Sequence, residues 1–118
     1  MITNLVASII LGIGSVQELP QKVAHGESCG YTTYYDNWYH GRQTASGATH
    51  DRYKVSAASW HFPIGTWLRV TNRSNGRVLD IEVNDKGGYE LLDLSEEASI
   101  ILGSSGQPDN HAVCVQVL

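Results

Sequence analysis

The stretch Arg77-Val78-Leu79-Asp80-Ile81-Glu82-Val83-Asn84-Asp85-Lys86-Gly87-Gly88 decides the fold. Apolar and polar residues alternate through it, with Leu79, Ile81 and Val83 on one face and Asp80, Glu82 and Asn84 on the other. A period of two is the mark of a strand with one face in a core and one in water. Asp85 ends that strand and enters the Gly87-Gly88 turn. Upstream, Gly65-Thr66-Trp67-Leu68-Arg69-Val70-Thr71 reads as a second strand, and Asn72-Arg73-Ser74-Asn75-Gly76 as the hairpin-type turn between the two. Gly30-Tyr31-Thr32-Thr33-Tyr34-Tyr35 is rich in aromatics and Thr, which suit a pleated surface. At the C-terminus Val113, Val115 and Val117 repeat the alternation.

One helix interrupts these strands. Ser95 is a good N-cap, Glu96 and Glu97 suit the positive end of the helix dipole, and Ala98 to Leu102 propagate the turn until Gly103 stops it. The sum is a mainly β chain, a small barrel with a short helix. No linker, low-complexity stretch or strict repeat divides it.

Composition sets the outer bounds. At 118 residues the chain is sized for one domain, and 42 % hydrophobic with 17 % charged residues is enough for one core. Twelve acidic against eight basic residues give a net charge of −4, which does not suit nucleic acid, since phosphate binding draws on dense Lys/Arg patches. Twelve Gly against one Met and one Phe favour turns and short strands over a helical bundle.

The apolar run Leu5 to Gly14 is shorter than the about 20 residues a membrane-spanning helix needs. Its position and the small residues after it resemble the apolar region of a secretory leader, although no Lys or Arg precedes Lys22. The expected division is a leader over residues 1–26, cut near Ala24 or slightly later, and a barrel domain over 27–118; a buried N-terminal strand or helix is the alternative. Cys29 and Cys114 lie near the two ends of that domain. They are either one disulfide, if the chain is exported, or two buried thiols. Neither has a partner at metal-ligand spacing, and His25, His40, His50 and His111 are scattered, with solvated or capping roles expected for them. No metal or cofactor is expected.

Several segments, in order, resemble the RlpA-like double-psi β-barrel family, relatives of septal lytic transglycosylases and expansins. They are Tyr34-Tyr35, His40-Gly41-Arg42-Gln43-Thr44-Ala45-Ser46-Gly47, Ala57-Ala58, Phe62-Pro63-Ile64-Gly65-Thr66 and Arg69-Val70-Thr71-Asn72. Asn75-Gly76-Arg77, Val83-Asn84-Asp85-Lys86-Gly87, Leu92-Asp93-Leu94-Ser95, Ala98 and Leu102-Gly103 complete the series. The resemblance covers about residues 29–118 and implies a six-stranded double-psi β-barrel with one or two short helices and an open polar groove. It further implies a secreted, periplasmic or cell-envelope protein whose partner is a cell-wall polysaccharide, peptidoglycan or a cellulose-like glycan; a domain this small can act as a monomer. Lytic members cleave peptidoglycan glycan strands to a 1,6-anhydro end. Expansin relatives bind and loosen wall polysaccharide without hydrolysis, and family 45 glycoside hydrolases use two aspartates on a similar barrel.

Within that resemblance Asp85 is the first candidate for a general acid, and capping of its own turn is the alternative. Asp93 matches the aspartate of the Asp-Leu-Ser motif, where satisfying free N–H groups at the helix start is the competing role. Asp36 follows the aromatic pair as a family 45 catalytic base does, and loop solvation competes. The lytic pattern carries Glu where this chain has Ala48, and His directly after Ala-Ala where it has Ser59; His61 lies two positions on and is the candidate substitute. Lys86 and Gly88 stand where the pattern has Arg and Pro. Trp38, Tyr39, Thr44, Ser46, Asn84 and Tyr89 are the candidate sugar-binding residues, with core packing the alternative for any single aromatic.

Overall fold

A computed structural model of the chain describes residues 26–104 and 111–118. The leader expected over 1–26 lies outside these residues except for Gly26. Six strands close into one barrel: β1 (Glu27–Tyr34), β2 (Ala57–Ala58), β3 (Trp67–Asn72), β4 (Val78–Asp85), β5 (Leu92–Leu94) and β6 (His111–Val117). Around the barrel they run β1-β5-β2-β4-β3-β6. A single 3-10 turn (Asn37–Tyr39) follows β1, and helix α1 (Glu96–Leu102) follows β5.

The barrel is mixed. The β3–β4, β3–β6, β1–β6 and β2–β5 pairs are antiparallel, while β1–β5 and β2–β4 are parallel. Parallel neighbours cannot be joined by tight hairpins, so long crossover segments run over one end of the barrel. That end carries the site.

Alternation in β3, β4 and β6 buries Leu68, Val70, Ile81, Val83, Val113 and Val115, each at most 2 % exposed, against Leu92 and Leu94 of β5. Burying one such side chain is worth roughly 1.5–3 kcal/mol, so the six-strand closure supplies the main driving force. Val117 shares the parity of Val113 and Val115 but is exposed; the β1 ladder ends at Gln116, so Val117 is paired on the β3 side alone. Trp67 stands on the outer face opposite Glu82.

Cys29 and Cys114 are register partners on β1 and β6 and form a disulfide. Helix α1 has the expected caps. The Ser95 hydroxyl accepts from Ala98 N at 3.3 Å, and Gly103 ends the helix at φ 79°. Asn72 and Asn75 both donate to Leu102 O, so the β3–β4 turn docks on the helix end.

Candidate active site

The site is built on the shortest strand. Ala58 of β2 is the register partner of Asp85 on one side and of Asp93 on the other. Two strand spacings separate those backbones, about 9–10 Å. With only a methyl between them, the two carboxylates border one trough. A register shift between Ala57 and Ala58 leaves Asn84 opposite no β2 residue. An extra residue of this kind bends its strand and re-aims the side chains beyond it. Asp85 shares the inward parity of Ile81 and Val83, so at the strand end its side chain turns into the mouth of the barrel.

The resulting cleft has a volume of about 80 Å³ and is lined by Tyr35, Tyr39, Ala58, Asp85, Lys86, Gly87, Gly88 and Asp93. Gly88 is required for it. Its φ is +84°, and a Cβ there would stand 2.9 Å from the Asp93 Cβ.

Three donors hold the half-buried Asp85 carboxylate. Tyr35 Oη donates to Oδ2 at 2.8 Å, while Ala45 N and Lys86 N donate to Oδ1, each at 2.8 Å. Burial, then the bond to Asp85 and that carboxylate's charge, push the Tyr35 phenol far above the usual tyrosine range. It therefore stays protonated and can only donate to Asp85. Across the trough, Thr33 Oγ1 donates to Asp93 Oδ1 at 2.9 Å.

The other expected residues separate into those near this cleft and those away from it. Tyr39 lines the cleft and meets Tyr35 edge to face at 5.5 Å. Trp38, exposed, packs edge to face on Tyr39, with the Arg42 guanidinium 3.3 Å over its ring. Thr44 and Ser46 shape the loop behind the cleft: their hydroxyls bond each other at 2.7 Å, and Ser46 N donates to Asn84 O. Thr44 is buried, with its hydroxyl also donating to Ala48 O. The Asn84 side-chain oxygen is buried without a partner. Tyr89 is fully exposed beyond the glycine turn and does not line the trough.

Asp36 lies outside the lining. Its carboxylate accepts from Trp38 N at 2.9 Å and so caps the 3-10 turn. His61 is exposed and outside the lining as well, tied by its backbone N to Ser59 Oγ. Ser59 is fully buried; its hydroxyl donates to Leu91 O and accepts from His61 N and Phe62 N.

One residue overturns the reading given to it. His50 is neither solvated nor a cap: it is 2 % exposed, and its ring lies flat on Tyr35 with centroids 4.1 Å apart and planes at 12°. Backbone bonds place it there, with His50 N donating to Arg42 O and Gly41 N donating to His50 O. No local pattern around His50 announces this. The signal is long-range, carried by a loop that folds back on itself at the Gln43–Thr49 bridge.

Among the described residues, no group of three or more His, Cys, Asp or Glu is placed to hold a metal. No helix among them is long and apolar enough to cross a membrane. A closed mixed six-stranded barrel with two carboxylates across a polar trough defines the double-psi β-barrel class. The model of the family described as lytic transglycolase matches residues 27–116. The chain belongs to that family.

Endolytic peptidoglycan transglycosylase RlpA of Neisseria meningitidis is 33 % identical over 100 residues, covering 82 % of this chain and 42 % of that protein. The probable endolytic peptidoglycan transglycosylase RlpA of Aquifex aeolicus is 42 % identical over 77 residues, 63 % of this chain and 34 % of the relative. The matched stretch thus spans less than half the length of these relatives. Among solved structures, Streptomyces papain inhibitor superposes with TM-score 0.63 at 22 % identity, over 78 % of this chain and 94 % of that one. This last likeness concerns the fold alone.

Proposed function

We propose that the chain acts on peptidoglycan glycan strands, cleaving them by lytic transglycosylation in the trough between Asp85 and Asp93. The observation that carries this reading is the Asp85 carboxyl group, at the mouth of the barrel and oriented by three donors. Preorganised groups need no rearrangement when charge moves, which is where much of catalysis lies. The names borne by the RlpA relatives support the same substrate class.

In the proposed step Asp85 gives its proton to the glycosidic oxygen as the C1–O bond breaks. The C6 hydroxyl of the same muramic sugar attacks C1, closing a 1,6-anhydro ring, and its proton returns to Asp85. No water is consumed. The Tyr35 phenol and the backbone N–H groups of Ala45 and Lys86 stabilise the carboxylate between the two transfers. Asp93, held by Thr33, faces the positive charge that develops at C1. Tyr39 and Trp38 extend the trough as stacking faces for flanking sugars. The disulfide suits an oxidising compartment, which supports a place outside the cytoplasm with a leader over 1–26.

A second reading is favoured by one observation. Ala48 offers no titratable group, and the Ser59 hydroxyl is buried and spent on three backbone bonds. The cleft on this reading grips glycan without turnover, as expansins do. Incubation with purified peptidoglycan and with cellulose, followed by mass analysis, separates the two. Anhydro-ended fragments released by the wild type and lost in Asp85→Asn support cleavage. Retention on peptidoglycan with no products supports binding alone. Equal anhydro release from both proteins removes Asp85 from the mechanism.

A further inference from the structure

Both ring nitrogens of His50 are buried without a hydrogen-bond partner. An apolar ring would fill the same space without that penalty, since each unmet buried polar group costs about 1–3 kcal/mol. The stack on Tyr35 is what the penalty accompanies. Tyr35 in turn is the one side chain that donates to Asp85 Oδ2. We propose that His50 is a positioning residue: in its neutral form it backs the Tyr35 ring and keeps the phenol aimed at Asp85, and on protonation it releases both.

A neutral imidazole has one N–H, a charged one has two, and neither nitrogen position has an acceptor. The charged groups that act on it pull in opposite directions. Burial is the largest influence and holds His50 below the usual imidazole range; His40 adds to it, while Asp85 and Asp51 oppose it. The Tyr35 face would attract an imidazolium, and so would Asp85, but burial outweighs both. On charging, the ring gains most by leaving for water. Tyr35 then loses the ring stacked on its face, while the edge contact to Tyr39 remains.

Above the ordinary imidazole value the ring is neutral whether the chain is folded or not, and the stack is intact. As pH falls below that value the unfolded chain takes up the proton first, so the stacked form loses stability until the lowered folded value is passed. The trough is assembled above the ordinary imidazole value and loosens as pH falls toward the lowered one.

The test uses the chain labelled for NMR, with His50→Phe and His50→Ala as variants. The readouts are the His50 ring nitrogens, the Tyr35 ring carbon bearing the hydroxyl, and the Asp85 carboxyl carbon, followed between about pH 5 and 8. In the wild type the Tyr35 and Asp85 signals are expected to move together with the titration of His50. In His50→Phe that shared inflection disappears, while Tyr35 stays on Asp85 in acid. Identical Tyr35 and Asp85 courses in wild type and His50→Phe overturn the proposal. So does a His50 that stays neutral across the range, or one that charges while the other two signals stand still.

Glycan release gives the second readout, and only this part rests on the proposed activity. Loss of the backing ring in His50→Ala is expected to lower kcat about 10–100-fold with KM little changed, since misaimed groups cost that much. His50→Phe is expected to rescue it and to lack the acid limb of the pH profile. If neither wild type nor variant releases product, cleavage is the reading that fails, and the NMR titration still decides the role of His50.

Discussion

The two ends of the β4 strand show two ways of holding a barrel together. From Val78 to Glu82 it pairs residue by residue with β3, and Ile81 and Val83 fill the core with Leu79 packed against it. At Asn84 and Asp85 the register to β2 slips, and the strand is held by groups from far away in the chain: Tyr35, Ala45 and Ser46. The first region is stabilised by buried apolar area, which is non-directional and forgiving of small shifts. The second depends on aimed hydrogen bonds and glycine backbone, where small shifts matter. Buried apolar area therefore concentrates in the β3–β4–β6 wall and the candidate site lies at the crossover end.

The largest test of that division is the disulfide. It joins β1 to β6 across 85 residues of sequence and, on the chain-entropy account, contributes roughly 4–5 kcal/mol by restricting the unfolded chain. Replacing both Cys29 and Cys114 by Ser is expected to lower the unfolding free energy read from denaturant titration by that margin, and the midpoint with it. Glycan retention below the new midpoint should be unchanged. A double variant that loses retention while still folded would show that the wall and the cleft are not separable.

Leu68→Ala and Gly88→Ala form a matched pair with smaller effects. Leu68 is fully buried between Ile81 and Val117 in register, so its truncation should cost about 3 kcal/mol and spare the cleft. Gly88→Ala forces a left-handed backbone on an L residue and drives a methyl into Asp93, at an expected cost of about 1–3 kcal/mol. Thermal melts and peptidoglycan retention should rank the two in opposite orders. Leu68→Ala melts lower and binds; Gly88→Ala melts higher and does not.

Legibility in the sequence divides along the same line. Period-two alternation in Leu79-Asp80-Ile81-Glu82-Val83 and the Ser95 and Gly103 caps are local, and the wall and helix were legible from them. Asp85 and Asp93 stand out as candidates because each ends or centres a short recognisable segment, and both border the trough. Tyr35 and His50 were not, because an aromatic and a histidine in turn-rich sequence look the same whether they face water, core or a carboxylate. Their roles depend on partners 15 to 50 positions away, Tyr35 with His50 and Tyr35 with Asp85. The Asn84 slip was hidden for another reason. Strict alternation gives Asp85 its inward parity whether or not the neighbouring strand keeps register.

The smallest expected effect sharpens the comparison most directly, because it concerns a bond that looks as good as the one at Asp85. Arg69 and Asp80 face each other across β3 and β4, with Nε–Oδ1 at 2.9 Å and Nη2–Oδ2 at 3.1 Å. The hydrogen bond from Arg69, then its charge, holds Asp80 below the usual carboxylate range. A lowered folded value means the pair contributes above the ordinary aspartate value and loses that contribution as pH falls toward the lowered one. Yet both side chains are 41–50 % exposed, so water and salt screen the pair. Asp80→Asn is expected to leave the melting temperature at neutral pH unchanged within error, and to leave glycan retention untouched. Its only trace should be a slightly flatter acid limb at low salt. A shift as large as that of Gly88→Ala would mean that cross-strand ion pairs, rather than buried apolar faces, carry the wall.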